Sequence, residues 1–128
     1  MLIALAFVSG AMLIWPYVRR AAAGGASIGT LEATQLINRE DAVVLDVRNP
    51  DEFARGRILG ARNVPLAELE KRADDLAKFK ARPVIVACES GNRSLGAVAT
   101  LRKLGFERVY NLAGGFAAWQ QAGLPVEK

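Results

Sequence analysis

Residues 84–98 read VIVACESGNRSLGAV. Val84, Ile85 and Val86 are β-branched and Ala87 completes a continuous apolar run, the pattern of a strand covered on both faces. The run stops at Cys88, the only cysteine in the chain. Beyond the loop, Leu95, Val98, Ala99, Leu101 and Leu104 recur at helical spacing and Gly105 supplies a stop. The stretch therefore reads as a strand over Val84–Ala87, a loop over 88–94 and a helix over Ser94–Leu104.

The same alternation extends in both directions. Upstream, Thr30 is placed to cap a helix over Leu31–Asn38, and AVVLDV (42–47) reads as a buried strand. Asn49-Pro50-Asp51-Glu52 opens a helical turn with proline just inside its start. Gly56–Ile58 and Ala61–Pro65 look extended, and Ala67–Lys78 reads as a helix contributing Leu69, Leu76 and Phe79. Downstream, Val109–Leu112 is a third strand, and Gly114-Gly115 leads into a last helix over Phe116–Gln121. Strands alternating with helices argue for an α/β domain with a parallel sheet flanked by helices. Ligands of such sheets gather beyond the carboxyl ends of the strands, where Cys88 lies.

Loop 88–94, CESGNRS, has the makings of an anion cradle. Gly91 and Asn92 tolerate left-handed backbone angles. The helix that follows offers unsatisfied N–H groups and a partial positive charge, and Arg93 adds a full one. A free cysteine titrates at about 8.5, and such surroundings lower it to roughly 3.5–7.5. The chain contains no histidine, so a reactive thiolate here has to be made by the loop itself. The competing reading is a buried cysteine used as a small hydrophobe; the residues behind Cys88 weigh against it.

Cys88-x-x-Gly91-x-Arg93-Ser94 resembles the active-site loop of the rhodanese-like domains. LDVRNPDEFARGRILGARNVP (45–65) and YNLAGGFAAWQQAGLPV (110–126) resemble two further stretches of that family, in the same order. The resemblance implies an α/β fold around a five-stranded, mostly parallel sheet, and a sulfurtransferase activity. The Cys88 thiolate would take a sulfane sulfur from a donor such as thiosulfate, or a protein persulfide, and pass it to cyanide or a thiol. The backbone of Glu89, Ser90, Gly91, Asn92, Arg93 and Ser94 would bind the sulfur anion. The alternative is a docking or sensing module with little catalysis. Asp46, Arg48 and Glu52 read as a structural network, and Trp119 as core. Arg57 stands where the family often has histidine. Glu89 departs further, since a carboxylate turned inward repels a dianionic donor. A phosphatase loop has five residues between Cys and Arg; here there are four, which makes a cradle better sized for sulfur.

The chain has 128 residues with 17 basic and 13 acidic side chains. All the acidic ones lie after residue 20, as do 15 of the basic ones, so the remainder carries +2. No basic block points to nucleic acid. One cysteine excludes an internal disulfide, and the absence of histidine excludes the usual zinc sites; no metal or cofactor is called for. Leu2–Val18 is free of charge and spans about 25 Å as a helix at ~1.5 Å per residue, slightly short of a roughly 30 Å hydrocarbon core. Trp15 and Tyr17 close it, and Arg19 and Arg20 follow. The first reading is one transmembrane helix over residues 1–20, a linker over 21–27 and the domain over 28–128. A cleaved signal peptide and a buried core helix are the other two. The arginines place the domain on the cytoplasmic side; an anchor before one such domain resembles the bacterial membrane-tethered members of the family, which implies the bacterial inner membrane.

Overall fold

The computed structural model describes residues 27–128. The two central strands, Val43–Asp46 and Val84–Ala87, follow from apolar β-branched runs buried on both faces. β1 (Ser27–Ile28), β2 (Val43–Asp46), β4 (Arg62–Asn63), β5 (Val84–Ala87) and β6 (Val109–Leu112) form one sheet in the order β1-β6-β5-β2-β4. Every neighbouring pair in it is parallel. β3 (Arg57–Ile58) and β7 (Val126–Glu127) make a separate antiparallel ribbon. The helices are α1 (Thr30–Glu40), α2 (Pro50–Arg55), α3 (Ala73–Leu76), α4 (Arg93–Lys103) and α5 (Gly115–Gln121).

Successive side chains of a strand point to opposite faces, and the two cores divide accordingly. Val84, Val86 and Val109 join Leu76, Phe79, Val98 and Leu101 on the α4 side. Ile85, Ala87 and Leu112 join Ala33, Leu36, Phe116 and Trp119 on the α1 and α5 side. Cys88 follows the parity of Val84 and Val86, so the sulfur faces the start of α4. Asn111 has the parity of Val109 and pairs with Val86 in register. That puts a polar side chain on the same face, one pleat below the sulfur.

Several elements differ from the sequence reading. α1 begins at Thr30 with Gly29 as its cap residue, and Thr30 offers its carbonyl to the Thr34 hydroxyl rather than capping. The helix expected over Ala67–Lys78 is broken into tight turns at Leu66–Glu68 and Ala77–Phe79 around the single turn α3. Its apolar residues are few, and the Arg72 guanidinium is drawn to the Asn63 carbonyl at 3.2 Å, so tertiary contacts override helix propensity. The buried seam of α4 is Ser94, Ala97, Val98 and Leu101; Leu95 is 41% exposed. Ser27, assigned to the linker, belongs to the sheet through Asn111. The transmembrane helix expected over residues 1–20 and the rest of the expected linker lie outside the described residues; among the described residues no helix is long and apolar enough to cross a membrane.

Candidate active site

β5 delivers Cys88 to the carboxyl edge of the sheet, and the chain then reverses into α4. The turn needs Gly91, whose φ is +93°; a β-carbon there would lie 3.1 Å from the Gly114 nitrogen and 3.2 Å from the Leu112 carbonyl. So folded, the Gly91 N–H donates to Cys88 Sγ at 3.0 Å, and the Ser94 hydroxyl lies 3.3 Å from the sulfur. Cys88 is 0% exposed, and the burial pushes its thiol up. The Ser94 hydroxyl, followed by the N–H groups of Ser94, Gly91 and Ser90, outweighs that and holds it below the ordinary cysteine value. Asn92 stands at the cap position of α4, its carbonyl accepting the Leu95 N–H at 3.3 Å.

A polar chain runs beneath the loop. Ser94 donates its hydroxyl to Asn111 Oδ1. Asn111 Nδ2 donates to the Gly91 carbonyl at 3.2 Å and to Ser27 Oγ at 2.9 Å. α5 braces the loop from its other side, with the Phe116 N–H on the Cys88 carbonyl at 2.8 Å and the Ala117 N–H on the Glu89 carbonyl at 3.1 Å. The close approach needs Gly115 (φ +58°), since a β-carbon there would overlap the Cys88 carbonyl oxygen and lie 2.7 Å from the Glu89 carbonyl.

Arg93 points away from this cradle. Its guanidinium makes two 3.0 Å bonds to the Glu52 carboxylate, which also accepts the Asn49 N–H at 3.1 Å at the start of α2. The pair lowers Glu52 from the usual carboxylate range, the Arg93 bond being the main cause. Arg48 is buried against Asp46, bonds the Gly56 carbonyl at 2.7 Å and stacks 4.5 Å from the centre of the Phe116 ring.

The family model for the rhodanese-like domain matches residues 30–122. The chain belongs to the rhodanese-like domain family. Over 78 residues it is 47% identical to YqhL, an uncharacterised protein of Bacillus subtilis, covering 61% of this chain and 60% of that one. It is 40% identical over 98 residues to the thiosulfate sulfurtransferase GlpE of Actinobacillus succinogenes, covering 74% of this chain and 84% of that protein. The crystal structure of a rhodanese-related protein from Thermoplasma volcanium superposes with a TM-score of 0.71 at 33% identity, over 80% of this chain and 97% of that one.

In this rhodanese-like domain a cavity of about 330 Å³ opens beside the loop, lined by Arg48, Glu52, Arg55, Gly56, Glu89 and Phe116. Two cations and two carboxylates share its wall, so it favours no single sign of charge. Glu89 does not turn toward the sulfur: its side chain is 50% exposed and lies 3.5 Å from Arg48. The expected network is present in the turn after β2, where Arg48 binds Asp46 and Glu52 holds the Asn49 N–H, and Glu52 also reaches the loop through Arg93. Of the expected site residues, Cys88, Ser90, Gly91 and Ser94 converge on the sulfur; Glu89 and Arg93 face the rim. Asn111 and the side-chain role of Ser94 were not read from the sequence. The available signal was one amide inside the apolar run VYNL, on a strand adjacent to the one bearing the cysteine. Among the described residues no cluster of acidic or sulfur side chains suited to a metal ion occurs.

Proposed function

We propose that this protein is a sulfurtransferase working through a persulfide on Cys88. The observation that carries the reading is the buried sulfur at the end of β5, met by the Gly91 N–H at 3.0 Å and the Ser94 hydroxyl at 3.3 Å. These donors suit a thiolate made without a histidine base. The thiolate attacks the outer sulfur of a donor such as thiosulfate. The new S–S bond forms as the old one breaks, and sulfite leaves with the bonding electron pair. The persulfide anion is then attacked at its outer sulfur by a thiol or cyanide, and the Cys88 thiolate departs with its electrons. Gly91, Ser90 and Ser94 stabilise the anion at both ends of the cycle.

Arg93 shapes the loop from outside by holding Glu52, which argues against its clamping a phosphoryl group. Glu89 at the rim, partly balanced by Arg48, leaves room for a thiosulfate donor and equally for a persulfide carried by another thiol. The uncharged run over Leu2–Val18 and the arginines after it support a single membrane anchor with the domain on the cytoplasmic side; membrane fractionation followed by protease protection tests that assignment. The chemistry is tested by incubating the protein with thiosulfate and measuring intact mass. A gain of one sulfur atom, absent in Cys88→Ser, supports the enzyme. Partner capture unchanged by Cys88→Ser, with no gain of mass, favours a docking module.

A further inference from the structure

We infer that Asn111 is a positioning residue for Cys88, holding the Ser94 hydroxyl proton while the cysteine is a thiol and yielding it to the sulfur when the thiol ionises. The argument rests on which atoms can donate. Asn111 Nδ2 lies 3.2 Å from the Gly91 carbonyl, which only accepts, so the amide has one orientation and Oδ1 faces Ser94. Oδ1 also only accepts, so the bond between Ser94 and Asn111 uses the single hydroxyl proton of Ser94. Ser94 then presents only lone pairs to Sγ at 3.3 Å, and that contact is satisfied by the S–H of a neutral thiol.

Loss of the thiol proton reverses the requirement. The sulfur now only accepts, and Ser94 turns its hydroxyl from Oδ1 to Sγ. Ser94 keeps its proton throughout; the proton released comes from Cys88. The Gly91 N–H serves the sulfur in both states, and Nδ2 of Asn111 keeps its bonds to Gly91 and Ser27. Only Oδ1 loses a partner, in a site where Asn111 is 2% exposed and little water reaches it, so the swap opposes ionisation. Asn111 thus sets how readily the thiolate forms. In the second half-reaction, a hydroxyl already turned to Sγ meets the charge returning to Cys88. The charged groups around the sulfur are Arg93 on α4, Glu52 on α2, Asp46 and Arg48 at the end of β2, and Glu89 in the loop. They are engaged with one another and do not take part in the swap.

The inference concerns the site of the proposed sulfur transfer but is tested on ionisation alone, without a sulfur donor, so a failure of persulfide formation leaves it standing. Cys88 is the only cysteine, and its thiolate absorbance can be titrated directly in the full chain. Asn111→Ala frees the Ser94 proton and should lower the midpoint, raising the thiolate fraction at neutral pH several-fold. Ser94→Ala should raise the midpoint, and in that background Asn111→Ala should no longer lower it. A rise on Asn111→Ala, or an equal shift in both backgrounds, overturns the inference. Should Asn111→Ala fail to fold, nuclear magnetic resonance of the unmutated protein decides. The Asn111 side-chain amide should titrate with the Cys88 midpoint and cease to do so in Ser94→Ala; an Asn111 signal flat through the Cys88 titration overturns it.

Discussion

The Cys88 thiolate is the group on which the proposed chemistry turns, and its ionisation links reactivity to folding. Its thiol is held below the ordinary cysteine value by Ser94 and the loop amides, against the effect of burial. Below the folded value both native and unfolded chains carry the proton, and the shift contributes nothing. As pH rises toward the ordinary value the native chain alone ionises, so stability is gained, and it is fully present above that value. Denaturation midpoints should therefore rise in the unmutated protein relative to Cys88→Ser across that window; a flat difference contradicts the shift. The thiol itself was legible in the sequence, since a lone cysteine at a strand end before Gly, Asn, Arg and Ser has few other uses. The fate of Arg93 was not, because its partner Glu52 lies 41 residues away and no local pattern links them. Ser94 was legible as backbone only, since its hydroxyl acquires meaning from a strand that closes the sheet later in the chain.

At the scale of the element, loop 88–94 is a piece of backbone held between α4 and α5, and two glycines show how differently its surroundings respond. Gly115 combines φ +58° with contacts to the Cys88 and Glu89 carbonyls. Gly115→Ala should cost about 2–4 kcal/mol and reduce persulfide formation together with stability. Gly96 lies within α4 with nothing within 4 Å of an added β-carbon. Gly96→Ala should stabilise by about 0.5–1 kcal/mol and leave the loop unchanged; chemical denaturation reads both. The tie from α2 to α4 is a partly exposed ion pair, with side chains 40% and 24% exposed. Glu52→Gln should cost no more than about 1 kcal/mol, and less at high salt. Because the Glu52 carboxyl is lowered, its contribution is present above the ordinary carboxylate value and lost as pH falls through the folded one. Elements with a strong period, such as α4 and β5, were readable to within a residue. The broken stretch 66–79 was not, because three apolar anchors cannot enforce a continuous helix against the pull of Arg72 on the Asn63 carbonyl.

For the whole molecule, the parallel sheet separates two cores, and the α4 core carries the sulfur. Leu101 is 0% exposed beneath α4, and Leu101→Ala should cost about 2–5 kcal/mol. Leu95 lies on the same helix but is 41% exposed, and Leu95→Ala should change stability by less than about 0.5 kcal/mol. Equal losses from the two would contradict the assigned face of α4. The sequence period alone treated both leucines as core, since it reports a stripe without its exact rotation; the rotation is set by Ser94, which must face the sulfur. The alternation of elements announced a parallel sheet but not the order of its strands, which long-range pairing sets. β1 and β7, each two residues long, are defined by long-range pairing and leave no local pattern. The most direct test of the account is the intact mass of the protein after exposure to thiosulfate or to a small-molecule persulfide. The account predicts one added sulfur atom, removed by cyanide and absent from Cys88→Ser. An unchanged mass with both donors in the folded protein, or sulfur retained in Cys88→Ser, would contradict it.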